Sequence, residues 1–302
     1  MSYRGKHNYL VNTTNYSGYR GKDFSKYSLE DLKSQWKEVL NQGMHGICFS
    51  MYEDGQEPGD TITEEQVERR IKILKPYTKW IRSFSCIEGN EHIPRIAQKH
   101  GLKNMVGAWL SDDLEKNEQE IEALIQLGKQ GYIDIAAVGN EVLYRNELTL
   151  EQLLAYIKRV KETLPDVAVG YVDAYYEFSR HPELVEISDI ILSNCYPYWE
   201  GCHIDDSLNH MQQMFYQATK AAKGKKVIIT ETGWPSKGGS EVAADSNEEN
   251  AIRYFINTQK WFQKDNVDIF YFSSFDESWK TGDEGDVGAY WGVWDKNEKL
   301  KF

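Results

Sequence analysis

The chain has 302 residues, 40% of them hydrophobic, and a formal net charge of −12. That length can bury a large core, as one barrel or as two smaller domains. The negative balance argues against a nucleic-acid partner, because phosphate binding needs clustered Lys and Arg, and it makes polyanionic substrates a poor fit. No apolar run reaches about eighteen residues, so no membrane insertion is expected. Nine Trp and nineteen Tyr are the informative excess. Flat aromatic faces with polar tips suit neutral, hydroxyl-rich ligands, and filling a barrel core is their other use.

Residues 1–42 read as an N-terminal arm and a leading helix. The first thirty are polar, rich in Tyr, Gly and Asn, and have no clean periodicity. The opening Met1–Tyr9 lacks the apolar segment of a signal peptide. The expectation is a cytoplasmic protein as the chain stands, or an extracellular or periplasmic one whose leader has been removed. At Ser28-Leu-Glu-Asp31 a capping-box spacing starts a helical run through Trp36 and Leu40, and Gly43 closes it.

From there apolar and amphipathic runs alternate. Strands are expected at Gly46–Tyr52, Trp80–Cys86, Lys103–Trp109, Ile133–Asn140, Val167–Asp173, Ile190–Cys195, Lys226–Thr230 and Ile269–Phe275. Helices are expected at Glu64–Leu74, His92–His100, Lys116–Gln130, Leu150–Leu164, Leu208–Ala222 and Glu248–Lys264, with a shorter one at Pro182–Ile187. The strand runs are continuous rather than alternating, the pattern of strands buried on both faces of a parallel sheet. Eight such strands at roughly thirty-residue spacing predict an α/β fold, a single (β/α)8 TIM barrel over residues 43–302 that would carry catalysis. A doubly wound open sheet fits less well, since no Gly-rich turn follows the first strand and no Walker-type loop is present. A monomer is expected.

The four cysteines, Cys48, Cys86, Cys195 and Cys202, do not form a disulfide framework; three sit in or at the ends of strand runs, where free Cys acts as a small hydrophobe. Cys195 and Cys202-His203 match no common zinc spacing, so neither a metal nor a cofactor is expected.

In a barrel, chemistry collects at the carboxyl ends of the strands. Those ends offer Tyr52, Arg82, Trp109, Asn140, Asp173, Tyr175, Tyr196 and the pair Asp276-Glu277, besides two glutamates. Glu141 follows Ile133-Asp-Ile-Ala-Ala-Val-Gly-Asn, and Glu231 follows Lys226-Val-Ile-Ile-Thr. A charge at the end of a buried run is costly unless paired. Two carboxyls from different strands, three β/α units apart, are the minimum equipment for glycosidic cleavage by an acid and a nucleophile. Asn140 could donate to a sugar hydroxyl beside the reacting carbon, and Arg82 and Tyr196 could donate to one carboxylate and hold it ionised. Tyr52, Trp109, Asp173 and Tyr175 complete the substrate-binding candidates.

Val138-Gly-Asn-Glu141-Val and Ile229-Thr-Glu231-Thr-Gly-Trp-Pro235-Ser resemble the two signatures of glycoside hydrolase family 17, the β-1,3-glucanases and glucanosyltransferases. Further matches run from His45-Gly-Ile-Cys-Phe-Ser50 through Phe275-Asp-Glu-Ser-Trp-Lys280 to Tyr290-Trp-Gly-Val293. The resemblance spans roughly residues 43–302 and leaves 1–42 without a counterpart. It implies that Glu141 is the acid/base and Glu231 the nucleophile of a retaining enzyme acting on a β-glucan polysaccharide or oligosaccharide. It implies substrate contacts from Trp234, Glu277 and Lys280, the last two otherwise readable as a surface ion pair. Trp279, Trp291 and Trp294 are candidates for sugar stacking or for core packing. The leading expectation is an endo-β-1,3-glucanase working by double displacement; the alternative is a β-1,3-glucanosyltransferase with the same residues. A non-catalytic glucan-binding protein would tolerate loss of a glutamate, and both are present. A Schiff-base enzyme would need a lysine at a strand end, whereas Lys103 and Lys226 begin their strands.

Overall fold

A computed structural model describes residues 14–282 and 284–302. The leader reading of Met1–Tyr9 lies outside the described residues. Eight parallel strands close into a barrel: β1 (Met44–Cys48), β2 (Thr78–Ser83), β3 (Lys103–Ala108), β4 (Ile135–Asn140), β5 (Ala168–Ala174), β6 (Ile191–Asn194), β7 (Val227–Thr232) and β8 (Ile269–Tyr271). Each strand pairs with the next in the chain, and β8 pairs with β1. This is a (β/α)8 TIM barrel, and β4, β6 and β7 are buried along their whole length.

The main helices are α1 (Leu29–Asn41), α2 (Glu64–Leu74), α3 (His92–Lys99), α4 (Leu114–Lys129), α5 (Leu150–Thr163), α6 (Pro182–Ile187), α7 (Ser207–Ala221) and α8 (Glu248–Asp265). Their starts are set locally. Ser28 and Thr149 form capping boxes with Asp31 and Gln152, and Thr63, Asp113 and Asn247 accept from the backbone three residues on.

β1 and β8 are shorter than the apolar runs that announce them. Beyond Cys48 and Tyr271 the backbone leaves the ladder: Ser274 N donates to Cys48 O and Ser50 N donates to Ser274 Oγ. The remaining apolar residues, Phe49, Met51, Phe272 and Phe275, are buried outside the strands, where Phe49 N and Phe272 N still donate to Arg82 O and Thr232 O and Phe275 forms an isolated bridge with Trp294.

Helix α1 precedes β1, yet it packs against α8 and places Leu32, Trp36, Val39 and Leu40 in the same continuous core as the barrel. It occupies the side of the barrel that a helix following β8 would cover. Trp36 meets Phe255 of α8 and, edge to face, Phe302. The preceding segment lies along α7 and α8, where Gln212 Nε2 donates to Tyr19 O and Lys22 N donates to Asn257 Oδ1.

Two strands are irregular at their carboxyl ends. On β4, Ala137 pairs with Gly170 but Asn140 with Val172, so β4 spends one extra residue there, with Gly139 at φ +84°. On β7, Ile229 pairs with Ser193 and Glu231 with Asn194, again one extra residue. Bulges of this kind re-aim the side chains that follow, and the residues that follow are the two glutamates.

Candidate active site

Glu141 and Glu231 meet at the floor of a cleft of about 600 Å³ at the carboxyl end of the barrel. Glu141 sits at φ +53°, the left-handed region that a non-glycine residue seldom occupies, between the β4 bulge and the short helix Val142–Arg145. Glu231 is surrounded by donors. Arg82 Nη1 donates to its Oε1 at 2.6 Å and Tyr196 Oη to its Oε2 at 2.8 Å. Asn194 Nδ2 donates to the same Oε1 at 3.2 Å and to Glu141 Oε1 at 2.8 Å. Glu231 is therefore set as an acceptor on both oxygens.

Arg82 itself is fixed from three directions. Its Nη2 donates to Asn140 Oδ1 at 2.7 Å, its guanidinium lies 4.2 Å over the Phe84 ring, and it is fully walled in beneath the cleft. The Asn140 side-chain oxygen is thus occupied, and Asn140 borders the cleft. Burial, followed by the Glu231 charge, pushes the Tyr196 phenol far above its ordinary value, so it remains a donor.

A second charged group faces the first. Lys280 Nζ pairs with Glu277 Oε2 at 2.7 Å, and Ser50 Oγ (2.7 Å) and Trp279 Nε1 (3.2 Å) donate to Glu277 Oε1. With side-chain exposures of 15% and 6%, this is a buried pair bordering the cleft, not a surface one. Burial opposes the charge on Lys280, but the carboxylates of Glu277 and Glu284 outweigh it and raise its pKa. Glu284 is pushed up to about 7 by burial, against Lys280 and with Glu277, Glu231 and Glu141 adding to the rise. Tyr52 and Trp279 meet edge to face at 5.8 Å on the same wall. At another part of the rim Trp109 is 37% exposed, with the Arg145 guanidinium 4.6 Å over its ring and Arg145 paired with Glu147.

Of the sequence candidates, Tyr52, Trp109, Asn140, Glu141, Tyr196, Glu231, Glu277 and Lys280 border the cleft, and Arg82 lies directly beneath it. Three, expected as substrate contacts, do not border it. Asp173 is fully buried and accepts from the Tyr171 hydroxyl, which shares its strand face; burial, then Glu141, pushes its carboxyl well above the usual range. Tyr175 is buried, donating to Glu200 Oε1 at 3.1 Å, and Glu200 in turn contacts His210 at 2.7 Å. Trp234 is buried between Tyr198 and Tyr254 with its Nε1 donating to Asp245 O. Trp291 and Trp294 are likewise core: Trp291 packs beneath Tyr196, Trp199 and Phe272, and Trp294 lies against Phe275 and Tyr77.

Sequence reasoning missed Asn194, Glu284, Arg145 and Trp199. Asn194 was discoverable, since it ends β6 two residues before Tyr196. Glu284 lies in a Gly-rich stretch without periodicity and carried no signal. All four cysteines are buried and outside any disulfide. Among the described residues no group of three or more His, Cys, Asp or Glu is placed to hold a metal, and no helix is long and apolar enough to cross a membrane.

Residues 46–292 match the family model of the BtgE/BtgC glycoside hydrolase domain. The chain is 32% identical over 254 residues to a glucan 1,3-β-glucosidase of Schizosaccharomyces pombe, covering 77% of this chain and 78% of the relative. It is 27% identical over 271 residues to one of Saccharomyces cerevisiae, covering 81% and 86%. The solved glycoside hydrolase family 17 β-1,3-glucanosyltransferase of Rhizomucor miehei superposes with a TM-score of 0.77 at 31% identity, over 86% of this chain and 96% of that one. An endo-laminarinase from Formosa shares the fold, with a TM-score of 0.72 at 19% identity over 87% and 86%. The chain belongs to the BtgE/BtgC glycoside hydrolases of glycoside hydrolase family 17, and it is a glycosidase.

Proposed function

We propose that the chain is a retaining enzyme that cuts internal β-1,3 bonds of a glucan, with Glu141 as acid/base and Glu231 as nucleophile. One observation carries this reading. A single nitrogen, Asn194 Nδ2, lies 2.8 Å from Glu141 Oε1 and 3.2 Å from Glu231 Oε1. The two oxygens cannot be farther apart than those two bonds laid end to end, which is short of the roughly 6.5–9.5 Å that inverting enzymes need for a water. With the spread of a planar amide's two N–H bonds the gap comes to about 5 Å, in the range of a double displacement.

In the first step Glu141 gives its proton to the glycosidic oxygen as the C1–O bond breaks, and a Glu231 oxygen bonds to C1. In the second, Glu141 takes the proton of an incoming hydroxyl whose oxygen attacks C1, and Glu231 leaves as a carboxylate. Asn140 would hold the hydroxyl next to C1, where hydrogen bonds strengthen in the oxocarbenium-like transition state. Tyr52, Trp109, Tyr196, Trp279 and the Glu277–Lys280 pair would line the sugar path.

The incoming hydroxyl decides between hydrolysis and transfer. The likeness to the Rhizomucor miehei glucanosyltransferase, also solved as an active-site mutant in complex with laminaritriose, favours transfer as the second reading. Incubation with laminarihexaose tests both. Shorter oligomers alone support hydrolysis, oligomers longer than six support transfer, and an unchanged substrate overturns the proposal.

A further inference from the structure

Asn194 is fully buried at the end of β6 and does not border the cleft, so it cannot act by touching sugar. It touches both reacting carboxyls instead. Its amide nitrogen donates to Glu141 Oε1 and to Glu231 Oε1, while its Oδ1 accepts from Thr230 Oγ1 at 2.8 Å. Thr230 lies one residue before Glu231, on the bulged stretch of β7, and is itself fully buried. This arrangement fixes which way the amide faces. Turned over, it would set its oxygen against two carboxyl oxygens and its N–H groups toward a hydroxyl. The three anchors lie on three strand ends: Glu141 after β4, Asn194 on β6, Glu231 on β7.

We propose that Asn194 is a positioning residue that sets the spacing of Glu141 and Glu231, with the Thr230 hydroxyl holding it in register. The proposal rests on the roles given to the two glutamates above. Each step of a double displacement uses both carboxyls at one separation, so a spacer held to both governs formation and breakdown of the glycosyl-enzyme alike. This differs from the effect of removing the acid/base, which a good leaving group relieves in the first step.

The test uses the full chain and a 2-deoxy-2-fluoro β-laminaribiosyl fluoride, which traps the nucleophile without needing the acid, alongside steady-state turnover of laminarihexaose. Wild type is expected to be inactivated with the label on Glu231. Absence of labelling would overturn the assignment of the nucleophile itself, independently of Asn194. Given labelling, Asn194→Ala is expected to slow the inactivation rate constant and kcat together by about a hundredfold, the scale of a misplaced reacting group. The dissociation constant of the inactivator and KM should stay within about threefold, because no sugar contact is lost. Thr230→Val, near in shape, is expected to give the same pattern at about two- to tenfold, the scale of one lost hydrogen bond. It also serves as the deciding variant if Asn194→Ala does not fold. Unchanged inactivation and kcat in the folded variants would overturn the proposal. So would a loss carried by KM alone, or one relieved by the fluoride leaving group.

Discussion

The two ends of the barrel use the same kinds of charge for opposite purposes. At the amino end, Asp268 lies between His45 Nε2 (3.2 Å) and Lys226, whose side chain is 62% exposed. At the carboxyl end, Arg82–Glu231 and Lys280–Glu277 are largely buried and tied into further hydrogen bonds. A pair at the surface is screened and is worth little. A buried pair has surrendered its hydration, and removing one partner strands the other. The difference teaches where this fold accepts an energetic burden: its buried ion pairs lie at the carboxyl end, where the proposal places the chemistry.

Four substitutions sharpen or break that contrast. Glu231→Ala should lower turnover of β-1,3-glucan by about 10⁴-fold or more. Azide, filling the space of the lost carboxylate, should restore part of it as a glycosyl azide; retained turnover without azide would remove Glu231 from the chemistry. Lys280→Met leaves Glu277 buried without its cation, so urea unfolding should show a loss of about 3–5 kcal/mol. A loss under about 1 kcal/mol would mean that the pair behaves like a surface one.

Glu120 tests the same idea through pH. Burial raises its carboxyl from 4.5 to about 7, against donation from Ser85 and from the Cys86 and Trp109 backbone. Between those values the folded chain keeps a proton that the unfolded chain has released, so this group makes stability fall as pH rises from about 4.5 to about 7. Glu120→Gln should therefore melt progressively closer to, or above, wild type as pH climbs through that window. A constant difference in melting temperature from pH 4 to pH 8 would refute it. The smallest effect is at the amino end: Asp268→Asn should change stability by no more than about 1 kcal/mol and leave kcat unaltered.

Much of this was legible in the sequence because its cues are local. Ser28 starts its helix where the capping rule puts it, and the continuous apolar runs identify parallel strands buried on both faces. A strand-end position does not say which way a side chain points. Asp173 follows the alternation of β5 back toward Tyr171, whereas the bulges on β4 and β7 break alternation just before Glu141 and Glu231. Gly139 hinted at the first bulge; nothing in Val-Ile-Ile-Thr announced the second. Asn194 was discoverable from its place two residues before Tyr196, but it was passed over because the apolar run through Cys195 drew the strand one residue too long. A motif tells which residues recur and not which face water: the Trp234 ring is buried against Tyr198 and Tyr254 and does not border the cleft.

Helix α1 has a consequence for the order in which the protein is made. Its apolar stripe, centred on Trp36, is covered by Phe255 and Phe302, and β1 completes its pairing only with β8 at Ile269–Tyr271. At about 5–20 residues per second, a ribosome needs on the order of 10–55 s to travel from α1 to those partners. During that interval Leu32, Trp36, Val39 and Leu40 lack the surfaces that bury them in the finished molecule. Helix α1 is thus made well before the surfaces that shelter it, and its apolar stripe stays uncovered on the nascent chain until they emerge.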